Sequence, residues 1–450
     1  MHMKSNIAVI GSGISGLSCA WLLSRRHSVT LFEKDDRFGG HSNTCNVELN
    51  NQTLAVDTGF MVFNPVNYPN LTALFKHLGV ATRPTDMSFS VSVDNGALEY
   101  AGSDLNGLFA QRSNLFSPAF WSMLADLLRF YREAPQLMAE IPATLTLGEL
   151  LEQQGYSQRF QQQHLLPMGA AIWSTPMDKM LNYPALTFLR FCANHGLLQL
   201  RDRPQWYTID GGSRVYVDRL LAQLGSAARN HAGIRTVRRQ TLNGKTQVTL
   251  IDWQGNEQHF DHVVFACHAD QALAMLRDPS DAEQSVLGAF RFERNRALLH
   301  SDPALMPRRK AAWSSWNYLS QSRGDQAVAV TYWMNKLQHL PEKTPLLVTL
   351  NPITDPKPES IHAAFLYDHP LFDLNALAAQ RKLWDLQGNR HTWFCGAWCG
   401  YGFHEDGLQA GLAVAEALGG EDRPWQVPGM YDRVVLPPGW RDVMRREEAA

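Results

Sequence analysis

The chain has 450 residues and a formal net charge of −2, from 41 Lys+Arg against 43 Asp+Glu. The even charge argues against general nucleic-acid binding. No apolar run reaches the roughly 18 residues of a membrane span, and six cysteines without a framework of close spacings fit a reducing cytoplasm rather than a disulfide scaffold.

Residues 6–10 form a short apolar run, as expected of a strand buried in a parallel sheet, too short for a signal peptide. Gly11-Ser12-Gly13-Ile14-Ser15-Gly16 follows at once, residues 17–24 read as a helix, and residues 28–32 as the next strand with Glu33 at its end. Between 85 and 206 the text turns helical. Ser117-Pro118 is a helix start, Phe116, Phe120, Leu124, Leu127 and Tyr131 recur at helical spacing, and Ser122, Asp126, Arg129 and Glu133 take the other face, which predicts a helix packed on the core. Residues 147–163 continue as helix into a segment marked by Pro and Trp at 167–176. From 209 the text is α/β again: a Gly211-Gly212 turn, a helix over 216–224, and strands over 234–237, 247–251 and 262–266. Residues 289–350 are aromatic and alternating. Residues 393–395 read as a strand entering Gly396, and 407–418 as a helix. The Pro-rich stretch after 421 is expected to wrap the surface or be loose.

The glycine motif sits between a strand and a helix, with an acidic residue 17 positions beyond Gly16. That context makes it a dinucleotide fingerprint. Gly11 makes the turn, Gly13 admits a pyrophosphate, and Gly16 lets helix and strand pack; Ile14 and Ser15 open the helix whose N-terminus faces the phosphates, and Glu33, followed by Lys34, accepts from the adenosine ribose.

Glu33-Lys34-Asp35-Asp36-Arg37-Phe38-Gly39-Gly40-His41, Val56-Asp57-Thr58-Gly59-Phe60, Gly211-Gly212-Ser213 with Gly233-Ile234-Arg235-Thr236-Val237, and Phe394–Tyr401 with Glu405–Gly411 resemble, in order, the blocks of flavoproteins of the amine oxidase and phytoene desaturase superfamily. The resemblance implies an α/β fold: a discontinuous, Rossmann-like FAD-binding domain (1–84, 205–288, 389–420), an inserted mixed α+β substrate domain (85–204, 289–388) and a C-terminal extension (421–450). It places Gly39, Gly40, Thr58, Gly59, Phe60, Gly396, Gly407 and Leu408 at the cofactor and Val237 at the adenine. The usual Arg is replaced by His41. Gly396 is followed by Ala397 where the family has an acid, so Glu405 or Asp406 would take over part of that role. Residues 361–388 hold no cysteine, which implies non-covalent FAD. Tyr401 stands for one wall of an amine-binding aromatic cage, without a partner for the other.

Phrases at 171–176, 194–198, 313–318 and 402–407 resemble bacterial FAD-binding oxidoreductases similar to the N-terminal region of plant cyclopropane-fatty-acid synthases. That likeness implies an apolar, fatty-acyl or lipid substrate and a lipid methyltransferase partner. The expected reaction is hydride transfer from a substrate C–H bond to flavin N5. The alternatives are an amine oxidase, a redox-neutral flavin isomerase and a non-catalytic FAD-binding partner of a methyltransferase. His195 and His300 are candidate acid/base groups, with Tyr401 as a third group at the reacting centre. Arg201, Arg203 or residues 308–310 would meet a substrate head group. The basic run Arg308-Arg309-Lys310 beside Trp313, Trp316 and Tyr318 suits either a peripheral contact with the inner membrane or, as the plainer reading, a solvated turn. His391, Cys395, Cys399 and His404 have ligand-like residue types, but on strand and glycine loop they do not converge on a metal. Cys267-His268 as a nucleophilic pair is disfavoured because neighbours on a strand point apart.

Overall fold

The computed structural model describes residues 4–49, 51–173, 176–199, 203–242, 245–321, 328–341 and 343–442. Arg201 and part of the 171–176 phrase, Ser174 and Thr175, lie outside the described residues.

The strand Asn6–Ile10 is apolar throughout its core because both of its faces are buried, Ile7 to Val9 fully, while parallel neighbours pair with both of its edges. The sheet order is Thr392–Phe394, His262–Phe265, Asn6–Ile10, Ser28–Phe32, Ala228–Arg229. All ten residues of the helix Ile14–Leu23 are buried, which explains why its sequence lacks a polar stripe. Against it lies the helix His404–Ala417, buried from Glu405 onward. A Cβ at Gly411 would stand 2.2 Å from the Ser15 carbonyl oxygen, and one at Gly407 would stand 2.8 Å from Ser15 Oγ, so glycine is what lets the two backbones touch. The later helix begins three residues before the expected Gly407, where the Asp406 carboxylate accepts the Phe403 N–H at 2.8 Å.

A seven-stranded sheet forms the second body, in the order Ile361–Leu371, Arg291–His300, Leu347–Leu350, Val328–Trp333, Trp316–Ser320, Phe89–Val93, Leu98–Ala101. It is antiparallel except where Trp316–Ser320 runs parallel to Phe89–Val93. Helices Pro118–Glu140, Leu147–Gln153, Leu166–Trp173 and Ala185–Asn194 cover one side. The segment expected only as Pro- and Trp-marked is therefore largely helix, entered through a π-helical turn at Gln161–Leu165. Ser117 Oγ accepts the Phe120 N–H, as the Ser-Pro start predicts. The 118–140 helix differs from the single apolar face expected. Phe120, Met123, Phe130, Ala134 and Leu137 are buried, while Trp121, Leu124, Leu127, Leu128 and Tyr131 line a cavity, and Phe116 lies outside the helix, 87% exposed.

Residues 421–442 are anchored rather than loose. Arg423 Nε pairs with Glu416 Oε1 at 2.8 Å with both side chains fully buried, and Trp425 stacks on Trp21 at 6.0 Å between centroids. Removing one partner strands a buried charge. Glu416→Gln is therefore expected to lower unfolding stability by about 3–5 kcal/mol, read from denaturant midpoints; a loss within about 0.5 kcal/mol, as for an ordinary surface substitution, would show that the strap contributes nothing.

Candidate functional site

One cavity of about 1560 Å³ lies between the two bodies, larger than the roughly 300–1,000 Å³ of an ordinary ligand pocket. Its floor is the glycine fingerprint. Gly11 sits at φ +105° and a Cβ there would lie 2.8 Å from the Ala266 oxygen; a Cβ at Gly16 would overlap the Gly11 oxygen at 1.9 Å. Gly13 is the opposite case: a Cβ there meets nothing within 4 Å, because it faces the open cavity. No side chain caps the Ile14–Leu23 helix, and Ile14 and Ser15 line the cavity, so its first N–H groups and positive dipole end remain available to an anion.

Glu33 is only 8% exposed. Its Oε2 accepts from Ser12 N (3.0 Å) and Ser12 Oγ (2.5 Å), and its Oε1 from Asp35 N (3.0 Å). It thereby holds the fingerprint turn to the loop beyond the second strand. Lys34, Gly40 and His41 continue the lining, and Gly39 N–H donates to the Ser12 oxygen beneath it. The next loop passes over this one: a Cβ at Gly59 would lie 2.2 Å from the His41 oxygen, and Phe60 N–H donates to that oxygen at 2.7 Å. Thr58 Oγ1 donates to the Asn43 oxygen (3.1 Å) and so accepts from Tyr367 OH at 2.8 Å. Asp57, which burial pushes up to about 6, accepts from Thr44, Ser213 and Gln338 and ties this loop to the Gly211-Gly212-Ser213 turn.

Gly396 and Tyr401 complete the far side, with Asp406, Gly407 and Leu408 behind them in the helix. The two adjacent carboxylates divide their roles. Glu405 accepts from Asn70 N, Asn70 Nδ2, Leu71 N and Gln409 Nε2, which makes it the cap of the Pro69–Leu78 helix. Asp406 keeps Oδ1 buried without a hydrogen-bond partner, and burial pushes its carboxyl up to about 6. His41 Nε2 is likewise buried and unpartnered.

Two expected residues lie elsewhere. His300 is fully buried in the seven-stranded sheet; its Nδ1 accepts from Asp302 N (3.1 Å), so its Nε2–H donates to Thr349 Oγ1 (2.7 Å). It does not line the cavity and is corrected to a structural residue. Val237 is buried with its carbonyl taken by Arg277 N–H; Ala232, Gly233 and Ile234, at the mouth of the same strand, line the cavity in its place. His195 does reach the cavity. Its Nδ1 faces the Phe191 carbonyl at 2.9 Å, which can only accept, so the lone pair is on Nε2. Burial lowers its pKa to about 3, so near neutrality the ring is neutral, with its proton on Nδ1 and with Nε2 free to accept. Burial pushes the Cys267 thiol up and His268 stacks on Phe292, which leaves no thiolate pair. Among the described residues no group could hold a metal ion. Arg203 lines the cavity, whereas Arg309 pairs with the fully buried Glu99 at 2.8 Å.

Sequence reasoning missed His404, Tyr367 and the aromatic wall. His404 stacks on Phe60 with centroids 3.7 Å apart and planes at 12°, and burial lowers it to about 3. Phe403, Phe191, Trp173 and Trp206 form a continuous ring cluster around His195. Met168 and Ile172 on one helix and Leu124, Leu127, Leu128 and Tyr131 on another also line the cavity. Among the described residues no aromatic ring is paired with Tyr401, whose ring has Arg433 at 5.4 Å.

A dinucleotide fits these features. Two helix N-termini meet the cavity beside a cradle that a Cβ on Gly13 would fill, and the cavity-lining His41 keeps a buried, unpartnered Nε2. Glu33→Ala is expected to weaken dinucleotide binding roughly ten- to hundredfold, the ~1.5–3 kcal/mol of a charge-assisted hydrogen bond. Titration followed by flavin fluorescence checks it, and an unchanged affinity would remove Glu33 from the site.

Residues 14–294 match the model of the flavin-containing amine oxidoreductases. The chain has no match among curated proteins. Among solved structures it is similar to putrescine oxidase bound to putrescine (16% identity, TM-score 0.65, covering 92% of this chain and 99% of that one). It is also similar to cyclohexylamine oxidase from Brevibacterium oxydans (16%, 0.65, 92% and 100%) and to a CLA-producing fatty acid isomerase from P. acnes (15%, 0.64, 91% and 98%). At such identities the likeness establishes the fold.

Proposed function

Because the chain belongs to the family of flavin-containing amine oxidoreductases, with FAD as its cofactor, we propose that it oxidises a C–H bond of an apolar, fatty-acyl or lipid substrate. FAD, when bound, supplies the two-electron acceptor. The Ile14–Leu23 helix would hold the pyrophosphate, Glu33 the ribose, and the His404–Ala417 helix would direct its N-terminus at the ring, where a positive dipole end favours added negative charge. Phe403, Phe191, Trp173 and Trp206 would shield the reacting carbon from water. His195 Nε2 would accept a hydrogen bond from the substrate, and Tyr401 would orient it.

The observation that carries this reading is the chamber beyond the aromatic wall. Met168 and Ile172 from one helix and Leu124, Leu127, Leu128 and Tyr131 from another all line it, and each methylene of a chain buried against them gains ~0.8 kcal/mol. An amine site needs two separated parallel rings. The parallel pairs that line the cavity, Phe60 with His404 and His268 with Phe292, are each in mutual contact and leave no space for a guest.

Anaerobic mixing with fatty acids, acyl esters and amines, followed at the flavin absorbance, tests the proposal. Bleaching by acyl compounds is expected. Bleaching by amines alone would overturn it, and conversion of an acyl chain without net bleaching would turn the reading to a redox-neutral isomerase. Acid precipitation is expected to leave the flavin in the supernatant, as non-covalent binding requires.

A further inference from the structure

Among the described residues nine large apolar side chains are exposed, and five of them (Leu105, Leu115, Phe116, Trp121 and Leu128) fall within 24 residues of one another. The other four, Val66, Trp253, Leu366 and Val435, are scattered along the chain. Single exposed apolar residues are ordinary on a soluble surface, but a cluster marks a contact. This cluster is also held in place. Trp121 Nε1–H donates to the Leu115 carbonyl at 3.0 Å, which pins the Arg112–Phe116 turn to the start of the 118–140 helix, and Phe109 packs under Trp121 at 5.7 Å. Phe116 at 87% and Leu105 at 75% exposure are therefore presented by a hydrogen-bonded unit.

Two further observations say what covers it. The patch is continuous with the cavity: Leu105, Trp121 and Leu128 are exposed and also line the cavity, next to Leu108 and Leu124. Its charge is one-sided as well. Arg112 is the only ionisable side chain from 105 to 125. The Leu105–Leu108 turn packs against Lys310–Ala312, which brings the exposed Arg308 and Lys310 alongside. Two acids adjoin, and both are engaged: Asp104 accepts the Gly107 N–H at 2.7 Å, and Asp126 accepts the Ser157 N–H at 3.0 Å and pairs with Arg129 at 3.3 Å. Apolar side chains with an indole at their centre and cations at their border match the interface of an anionic bilayer.

We propose that the 105–128 segment docks this protein on an anionic phospholipid surface, with the cavity mouth facing the membrane. The direction of traffic, an acyl chain passing from the bilayer between Leu105, Trp121 and Leu128 into the chamber, rests on the acyl-substrate reading. The docking itself does not.

The test uses the FAD-loaded full-length protein sedimented with vesicles of phosphatidylcholine alone or with phosphatidylglycerol. Association with the phosphatidylglycerol vesicles is expected, weakening as salt rises. Leu115→Asp combined with Phe116→Asp changes two residues that do not line the cavity, and is expected to reduce association about tenfold or more with the flavin spectrum unchanged. No association with either vesicle, or association that the double variant leaves intact, overturns the proposal. So does a concentration-dependent dimer that the double variant abolishes, since the patch would then be a self-interface. Vesicle binding without flavin bleaching by any acyl compound would keep the docking and remove the substrate reading; bleaching by a soluble short-chain acyl compound without vesicle binding would do the reverse.

Discussion

Gly13→Val is expected to abolish FAD binding in a protein that still folds. The two halves of that result have separate causes. Gly13 has φ −64° and ψ 179°, a conformation open to valine, and a Cβ there meets no atom within 4 Å. The folded chain therefore accommodates the side chain at little cost. The space it fills is where the phosphates must approach the helix N–H groups, and an isopropyl group displaces them by more than a hydrogen bond can stretch. A loss of at least about hundredfold in affinity is expected, since charge-assisted bonds of ~1.5–3 kcal/mol each are lost together. Isothermal titration with FAD, beside a circular dichroism spectrum, checks both halves. Wild-type affinity in the valine variant would show that the fingerprint does not hold the cofactor. Gly16→Ala is the informative contrast: its Cβ collides with the Gly11 oxygen at 1.9 Å, so that variant is expected to lose the fold along with the ligand.

Ile172→Trp is expected to shorten the chain that the chamber accepts. Ile172 lines the cavity one helical turn from Met168, in the same apolar lining as Leu124, Leu127 and Leu128. An indole there removes room for about four methylenes, and at ~0.8 kcal/mol each the affinity for a long acyl chain falls roughly a hundredfold or more. Short chains that stop before Ile172 are expected to bind as before, and the flavin spectrum to stay unchanged. A series of chain lengths run against both proteins reads the effect as a shift in the preferred length. An equal loss at every length would place Ile172 outside the chain's path.

The cofactor half of the site was largely legible in the sequence because its constraints are local. Gly11, Gly16 and Gly59 are glycines since a backbone atom stands within 3 Å of where their Cβ would be, and such contacts repeat as short motifs with fixed spacing. What the sequence hid depends on partners far along the chain. His404 meets Phe60 across 344 positions. Nothing in Glu405-Asp406 itself says which carboxylate caps the Pro69–Leu78 helix; the Asn70 and Leu71 N–H groups decide it. His300 has the residue type of an acid/base group, but its place in a buried ladder beside Thr349 is a matter of strand pairing. Val237 was misplaced by register, since the strand reaches the cavity at Ile234 and then turns away. The helix at 118–140 was read with one apolar face because a periodic pattern does not distinguish a side chain that meets the core from one that meets an internal void.

The junction of the Ile14–Leu23 and His404–Ala417 helices has a consequence for biosynthesis. The ring-facing half of the crevice is built from the segment 392–418, which is translated almost 400 residues after the fingerprint that receives the phosphates. Translation proceeds at roughly 5–20 residues per second, so the first βαβ unit waits tens of seconds on the ribosome with one face of its helix uncovered. During that interval the helix lacks the partner whose Gly411 meets the Ser15 carbonyl, and Trp21, shielded in the finished molecule, lacks the stacked Trp425 ring. The crevice between the fingerprint and the 392–418 segment is therefore complete only after both have been translated.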